Sequence, residues 1–156
     1  MQWNYNLIGY DALNSYGSPA YYAQQMFSLH KGDKVLGVSA QNLPNRAAPA
    51  GRGGGTRQIK SLFYSATSDS RSGKITVKIV NSADTPQEVK IEIAGVKSVS
   101  ANGTANVLKA AKREETNSLT DPKHLVPETV KVTGLGASFT RTFPPCSITV
   151  LELQSK

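Results

Sequence analysis

The chain is short of the residues that make most catalytic and metal centres. Among 156 residues there is one cysteine, Cys146, so no internal disulfide can form. Without a second cysteine or a nearby histidine, Cys146 cannot nucleate a zinc site either. It lies between Pro145 and Ser147 at the expected start of a strand, which suits a small buried hydrophobe. Only two histidines occur, His30 and His124, too far apart in sequence to suggest a metal trio or a Ser/His/Asp site; surface or capping roles are expected. No run approaches the ~18 apolar residues of a membrane span, and no basic segment with an apolar core follows Met1, so neither a membrane segment nor a signal peptide is expected in this sequence.

Charge is sparse, at 19% of residues, and unbalanced: 18 Lys and Arg against 11 Asp and Glu give +7. The basic residues are scattered over expected strand faces and loops. A nucleic-acid footprint needs clustering on one face, so a solvated surface is the reading and no nucleic-acid partner is expected. The acids do not form the opposed carboxyl pair of a glycosidase, which needs about 5 Å for retention or roughly 6.5–9.5 Å for inversion. By pattern Glu88, Glu92 and Glu152 fall on solvent faces of strands, and Glu114 and Glu115 lie in a loop beside Lys112 and Arg113. No catalytic residue, cofactor or metal ligand emerges from the residues alone.

What is present is an aromatic, apolar opening followed by many short strands. Leu7–Tyr10 is an apolar run suited to a strand buried on both faces, as in a parallel sheet. Asn14–Gly17 is a turn cluster. Ser18 is an expected N-cap with Pro19 at the first helical position. Tyr22, Met26 and Leu29, with Ala23, Phe27 and His30 beside them, make one broad apolar face. Gly32 offers a left-handed stop. This opening unit, with Trp3 at its head, is expected to need a partner surface: a dimer, or its own sandwich.

After Gly32 the sequence predicts strands at Lys34–Val38, Ile59–Ala66, Lys74–Val80, Gln87–Ile93, Ser98–Ser100, Ala105–Leu108, Thr129–Thr133, Ala137–Phe143 and Ser147–Leu153. Ile75, Val77 and Ile79 face inward, as do Val130 and Val132, and Phe139 and Phe143 share a face. Lys74 and Lys78 are expected to pair with Glu88, Lys90 and Glu92 across a hairpin turning at 81–86. Ala101-Asn102-Gly103 reads as a second hairpin turn. The change of phase at Val150-Leu151 suggests a bulge. The segment 41–58, rich in Gly, Pro and Ala with Arg46, Arg52 and Arg57, reads as a mobile loop, and 109–127 as a long polar one. The fold expected is mainly β: an antiparallel β-sandwich, jelly-roll first and immunoglobulin-like second, preceded by one short strand and one α-helix.

Several of these stretches resemble the C-terminal part of glycoside hydrolase family 51 α-L-arabinofuranosidases. They are residues 3–11, from Trp3 through Tyr10 to Asp11; Tyr-Gly-Ser-Pro-x-Tyr-Tyr over 16–22 with Met26, Phe27 and Ser28; Thr116-Asn117-Ser118 with Val126-Pro127; and 139–150, ending Pro-Cys-Ser-Ile-Thr-Val. The resemblance implies a parent that releases terminal arabinofuranose from arabinan or arabinoxylan with retention, using a (β/α)8 barrel followed by the sandwich. It implies that 1–31 is the last strand–helix unit of that barrel and 32–156 the C-terminal sandwich, and that both catalytic Glu residues lie upstream. In the family the sandwich also receives strands from the beginning of the chain. Asn14, in the loop 12–16 at the barrel's sugar-facing rim, is the one implied substrate contact. The implied partners are the barrel and, through it, an arabinose-containing polysaccharide. An autonomous carbohydrate-binding module and a structural or oligomerising domain stay open as alternatives. The compartment stays open too, with secretion or the periplasm as candidate destinations of the parent.

Overall fold

A computed structural model describes residues 6–51 and 54–156. Trp3 and Tyr5 of the opening stretch, and Arg52 of the glycine-rich segment, lie outside the described residues. The core is an antiparallel β-sandwich built on one central strand, β12 (Ser147–Gln154). It pairs on one side with β7 (Lys74–Asn81) and on the other with β9 (Gly103–Lys109). β10 (Glu128–Val132), β6 (Leu62–Ser68) and β3 (Lys34–Leu36) extend the sheet to the order β10-β9-β12-β7-β6-β3.

Other elements pack on both faces of this sheet. On one lies the pair β8 (Gln87–Glu92) and β11 (Ser138–Phe143). Phe139, Ile91 and Ile93 pack there on Ile75, Ala105, Leu151 and Leu153, while Phe143 and Val89 pack on Leu62 and Ile79. On the other face lies α1 (Pro19–Leu29), whose Met26, 2% exposed, packs on Leu108, Leu125 and Val150. The helix thus rests on its own sandwich.

The inward positions Ile75, Val77 and Ile79, and the shared face of Phe139 and Phe143, are as the alternation predicts. The expected bulge in β12 does not exist: its register with β7 runs unbroken from Ser147↔Asn81 to Gln154↔Lys74. Val150 faces α1 and Leu151 faces the second sheet, so two adjacent hydrophobes mark a strand buried on both sides rather than a change of phase.

The segment 41–58 is not all loop. It holds most of a hairpin, β4 (Asn45–Pro49) and β5 (Thr56–Lys60), in register Asn45↔Lys60 to Pro49↔Thr56. Gly51, Gly54 and Gly55 take positive φ in its turn, a conformation that side chains resist, so the glycines specify the reversal. The strand expected over 59–66 is split at the buried Ser61, which bonds to Pro44 through its backbone N–H at 2.9 Å.

Two expected hairpins connect differently. β7 and β8 lie in different sheets, so Lys74 bonds to Glu152 and Lys90 to Glu92 of its own strand. Val99 bridges Ser155, while β9 pairs with β12 and β10. Alternation reports which face a residue lies on, but it carries no information about the neighbouring strand. Val130 is 42% exposed because β10 is the sheet's edge; Val132 is buried.

The opening unit also departs from its pattern. The apolar run 7–10 contributes β1 (Ile8–Tyr10), which pairs antiparallel with β2 (Ser15–Gly17), where a simple turn was expected. In this chain β1 is a surface ribbon, with Leu7 and Ile8 exposed, not a strand buried on both faces. Ser18 caps α1 as expected, its Oγ accepting from the Tyr21 N–H at 3.2 Å. Leu29 is 72% exposed, since the helix lays only its Tyr22–Met26 side on the sheet. Gly32 is not a left-handed stop. A Cβ there would lie 2.1 Å from the Ser68 carbonyl oxygen, so glycine is required for close approach to β6.

Candidate functional site

The loop implied by the resemblance is the tip of the β1–β2 hairpin. Asp11 shapes it: its Oδ1 accepts from the backbone N–H of Leu13 at 2.8 Å and of Asn14 at 2.7 Å, and its own N–H donates to the Asn14 carbonyl at 3.0 Å. Those two backbone donors hold the Asp11 carboxyl below its ordinary range. Asn14 is therefore fixed at an exposed tip, next to Leu13, which is 92% exposed. The hairpin's base is held by Ser18, whose N–H donates to the Leu7 carbonyl at 2.8 Å.

Asn117 ties this hairpin to the long segment 109–127. Its side chain is buried; Nδ2 donates to the Leu125 carbonyl at 2.8 Å and Oδ1 accepts from the Leu125 N–H at 2.6 Å. A further bond from Nδ2 reaches the β2 end of the hairpin. Sequence reasoning marked Thr116-Asn117-Ser118 by resemblance but missed its work. An asparagine in a long aperiodic segment, followed by an apolar Leu125-Val126, was the available signal.

Beside the N-terminal half of α1 the sheet's outer face is open as a cleft of about 320 Å³. Val80, Leu108 and Ile148 form its floor, and Arg46, Lys109 and Arg113 stand at its rim. The two arginines are committed: Arg113 pairs with Asp84 at 2.8 Å and Arg46 donates to Ser82 Oγ at 2.9 Å. Cys146 is at this cleft, not in the core. It is half-buried in the turn before β12 with φ of 45°, and its Sγ contacts the Ala83 carbonyl and the Asp84 carboxylate. Burial first, then the hydrogen bond to Asp84, push its thiol pKa up, which keeps the reactive thiolate scarce.

The histidines are separate. His30 closes α1, its N–H donating to the Met26 carbonyl, and its Nδ1 lies 3.0 Å from Glu152 Oε1. Glu152 is thus not on a solvent face; it lies half-buried beneath the end of α1, within 3.2 Å of Lys74 Nζ. Burial opposes its charge, but hydrogen bonds from His30 and Lys74 outweigh that and leave its pKa lowered. A lone glutamate in the apolar strand 147–153 was the sequence signal. His124 is at the surface between Glu115 and Asp121, at 3.3 and 3.4 Å.

Chemically, the displaced carboxyls have one feature in common. Asp11, Asp33, Asp69, Glu92 and Glu152 are all shifted downward, each by hydrogen bonds to backbone, serine, lysine or histidine. A glycosidase acid needs the opposite shift. Phe139 and Phe143 are core residues and Tyr64 packs on the Leu62 cluster, so none of the three forms an exposed aromatic platform.

The architecture is that of a sandwich domain carrying a helix on its outer face, with Asp11 and Asp69 engaged in turns and Asp84, Glu92 and Glu152 in ion pairs. A family profile described as the α-L-arabinofuranosidase C-terminal domain matches residues 2–147. Among solved structures, the arabinose-bound MgGH51 α-L-arabinofuranosidase is 32% identical with a TM-score of 0.81, over 99% of this chain and 22% of that one. The thermostable GH51 α-L-arabinofuranosidase of Thermotoga petrophila RKU-1 is 19% identical with a TM-score of 0.74, over 93% of this chain and 31% of that one. AbfB, a family 51 enzyme of Bifidobacterium longum, is 20% identical with a TM-score of 0.72, over 94% of this chain and 27% of that one. No curated protein matches. The chain belongs to the C-terminal domain family of glycoside hydrolase family 51 α-L-arabinofuranosidases. It spans less than a third of the length of these relatives.

Proposed function

We propose that this chain is the non-catalytic C-terminal sandwich of a retaining α-L-arabinofuranosidase that releases terminal arabinofuranose from arabinan or arabinoxylan. In this reading residues 1–31 are the last strand–helix unit of the catalytic barrel, 32–156 are the sandwich that stabilises it, and both catalytic carboxylates belong to the remainder of the parent. The observation that carries the reading is the engagement of five of the acids. Asp11 and Asp69 hold turns, Asp33 holds Ser70, Asp84 holds Arg113, and Glu152 holds α1. Retaining hydrolysis needs one carboxyl raised and a second free to attack. The exposed β1–β2 ribbon supports the barrel assignment, because Leu7 and Ile8 are apolar residues that another element would cover.

The test is hydrolysis of an aryl α-L-arabinofuranoside by the chain alone. No turnover above buffer is expected; robust release overturns the reading. Asn14 is proposed as a substrate contact of the parent, at the tip that Asp11 fixes. In an enzyme carrying this chain, Asn14→Ala is expected to lower kcat/KM about tenfold, the scale of one hydrogen bond to substrate. An unchanged kcat/KM removes Asn14 from the site.

A further inference from the structure

We propose that His30 is a proton-operated latch for the C-terminal end of α1, in which the Asn106 side-chain amide turns over when the imidazole gains its second proton. The inference stands independently of the arabinofuranosidase reading.

The geometry at the two ring nitrogens differs. Nδ1 is 3.0 Å from Glu152 Oε1, a bond that a ring carrying Nδ1–H makes in either charge state. Nε2 is 3.4 Å from Asn106 Nδ2. A neutral ring accepts there; an imidazolium must donate, and then it meets a donor. The remedy is at hand. Asn106 Oδ1 is buried and has no hydrogen-bond partner among the described residues, so only the bond from Nδ2 to the neutral ring holds the amide in its present sense. Rotation by half a turn brings Oδ1 to Nε2 and gives an imidazolium two acceptors, one of them charged. The two ends of an amide are told apart only by such partners.

The charges around His30 are few and can be named. From β12 comes Glu152, whose Oε1 also takes Lys74 of β7 at 3.2 Å and whose Oε2 is 3.3 Å from the Thr104 hydroxyl of β9. From β7 also comes Lys78, whose Nζ donates to the Phe27 carbonyl at 2.8 Å and lies 5.0 Å from the Phe27 ring centroid. Lys31 follows His30 in the chain, and from β6 the Thr67 hydroxyl accepts from the Gly32 N–H. Glu152 is the one anion of the set and stays ionised over the range in which histidine titrates. The latch matters because α1 has little else at this end: Met26 is its one fully buried side chain, and Phe27 and Leu29 are exposed.

The test is NMR on the full 156-residue chain as pH is lowered from about 8 to about 5, a range that brackets histidine titration. The Asn106 side-chain amide signals are expected to move with the same midpoint as the His30 ring. Exchange of the backbone amides near the end of α1, corrected for its intrinsic pH dependence, is expected to slow about fivefold, the size of one charge-assisted bond gained. His30→Gln abolishes the slowing and His124→Gln leaves it intact. Asn106→Asp, which accepts without rotating and adds an anion beside the ring, is expected to move the His30 midpoint upward. Asn106 signals that ignore the His30 midpoint, slowing that persists in H30Q, or a midpoint unmoved in N106D each overturn the proposal.

Discussion

The Asn117 side-chain amide donates to the Gly17 carbonyl oxygen at 2.7 Å, across 100 residues of sequence. With its two bonds to Leu125, this makes one buried amide the junction of the β1–β2 hairpin, the helix N-terminus and the 109–127 segment. Asn117→Ala leaves backbone groups of Gly17 and Leu125 unpaired away from water. The expected loss is ~2–4 kcal/mol, read as a lower urea midpoint. Asn117→Asp keeps the acceptor but sets a carboxylate against two carbonyls, so it is expected to cost at least as much. Ser118→Ala, one residue on, is expected to stay within ~1 kcal/mol.

Gly32 carries a steric prediction with an internal control. Its Cβ position is occupied by the Ser68 carbonyl, which is backbone at the end of β6 and cannot rotate away, and the Gly32 N–H is bound to Thr67 Oγ1 at 3.0 Å. Gly32→Ala is expected to lower stability by ~2 kcal/mol or more, since the strand must separate from the helix exit. Gly37→Ala meets no atom within 4 Å and is expected to be neutral or slightly stabilising in the same thermal melt. Equal melting temperatures for the two variants would refute the close-approach reading.

The contrast between these glycines and β12 shows where sequence reading stops. The Ser18 cap, the inward Ile75, Val77 and Ile79, and the shared face of Phe139 and Phe143 are local patterns, and each was legible. Strand partners were not, because Lys78 and Glu88 look alike whether they face each other in a hairpin or sit in different sheets. The hairpin 45–60 was hidden because Gly51, Gly54 and Gly55 have the composition of a linker, and only their φ values show a turn. For the site, resemblance offered Asn14 as a candidate, while the work of Asn117 and Glu152 depends on contacts 100 and 122 residues away in the chain, which no local pattern records.

Acid stability gives a prediction with a definite sign. The Glu152 pKa is lowered in the folded chain: burial opposes ionisation, but His30 and Lys74 prevail. A carboxyl lowered on folding adds stability that is present above its unfolded value, near 4.5, and is lost as pH falls through the folded value. Asp33 and Asp69, held down by Ser70 and Ser72, act in the same direction at the surface. Glu152→Gln is expected to lower the melting temperature at neutral pH and to make it fall less steeply below about pH 4.5. An acid limb as steep in the variant as in the parent chain would mean that Glu152 is not one of the groups that protonates on unfolding.

Val150 and Leu151 are adjacent, both fully buried, and belong to different cores. Leu151→Ala opens a cavity between the two sheets, against Ala105 and Leu153, and is expected to cost ~2–5 kcal/mol. Val150→Ala opens a smaller one beneath Met26, expected to cost ~2 kcal/mol by the loss of two methyl groups and their packing. The two losses should differ in kind as well as size. The Leu151 cavity weakens the sheet itself, so protection should fall across β7, β9 and β12 together. The Val150 cavity weakens the seat of α1, so limited proteolysis should cut within 18–31 before the sandwich is attacked. Met26→Ala should be non-additive with Val150→Ala by ~0.5 kcal/mol or more and additive with Leu151→Ala, because Met26 and Val150 share one cluster and Leu151 faces away from it. Coupling of Met26 to Leu151 rather than to Val150 would place α1 on the wrong face of the sheet.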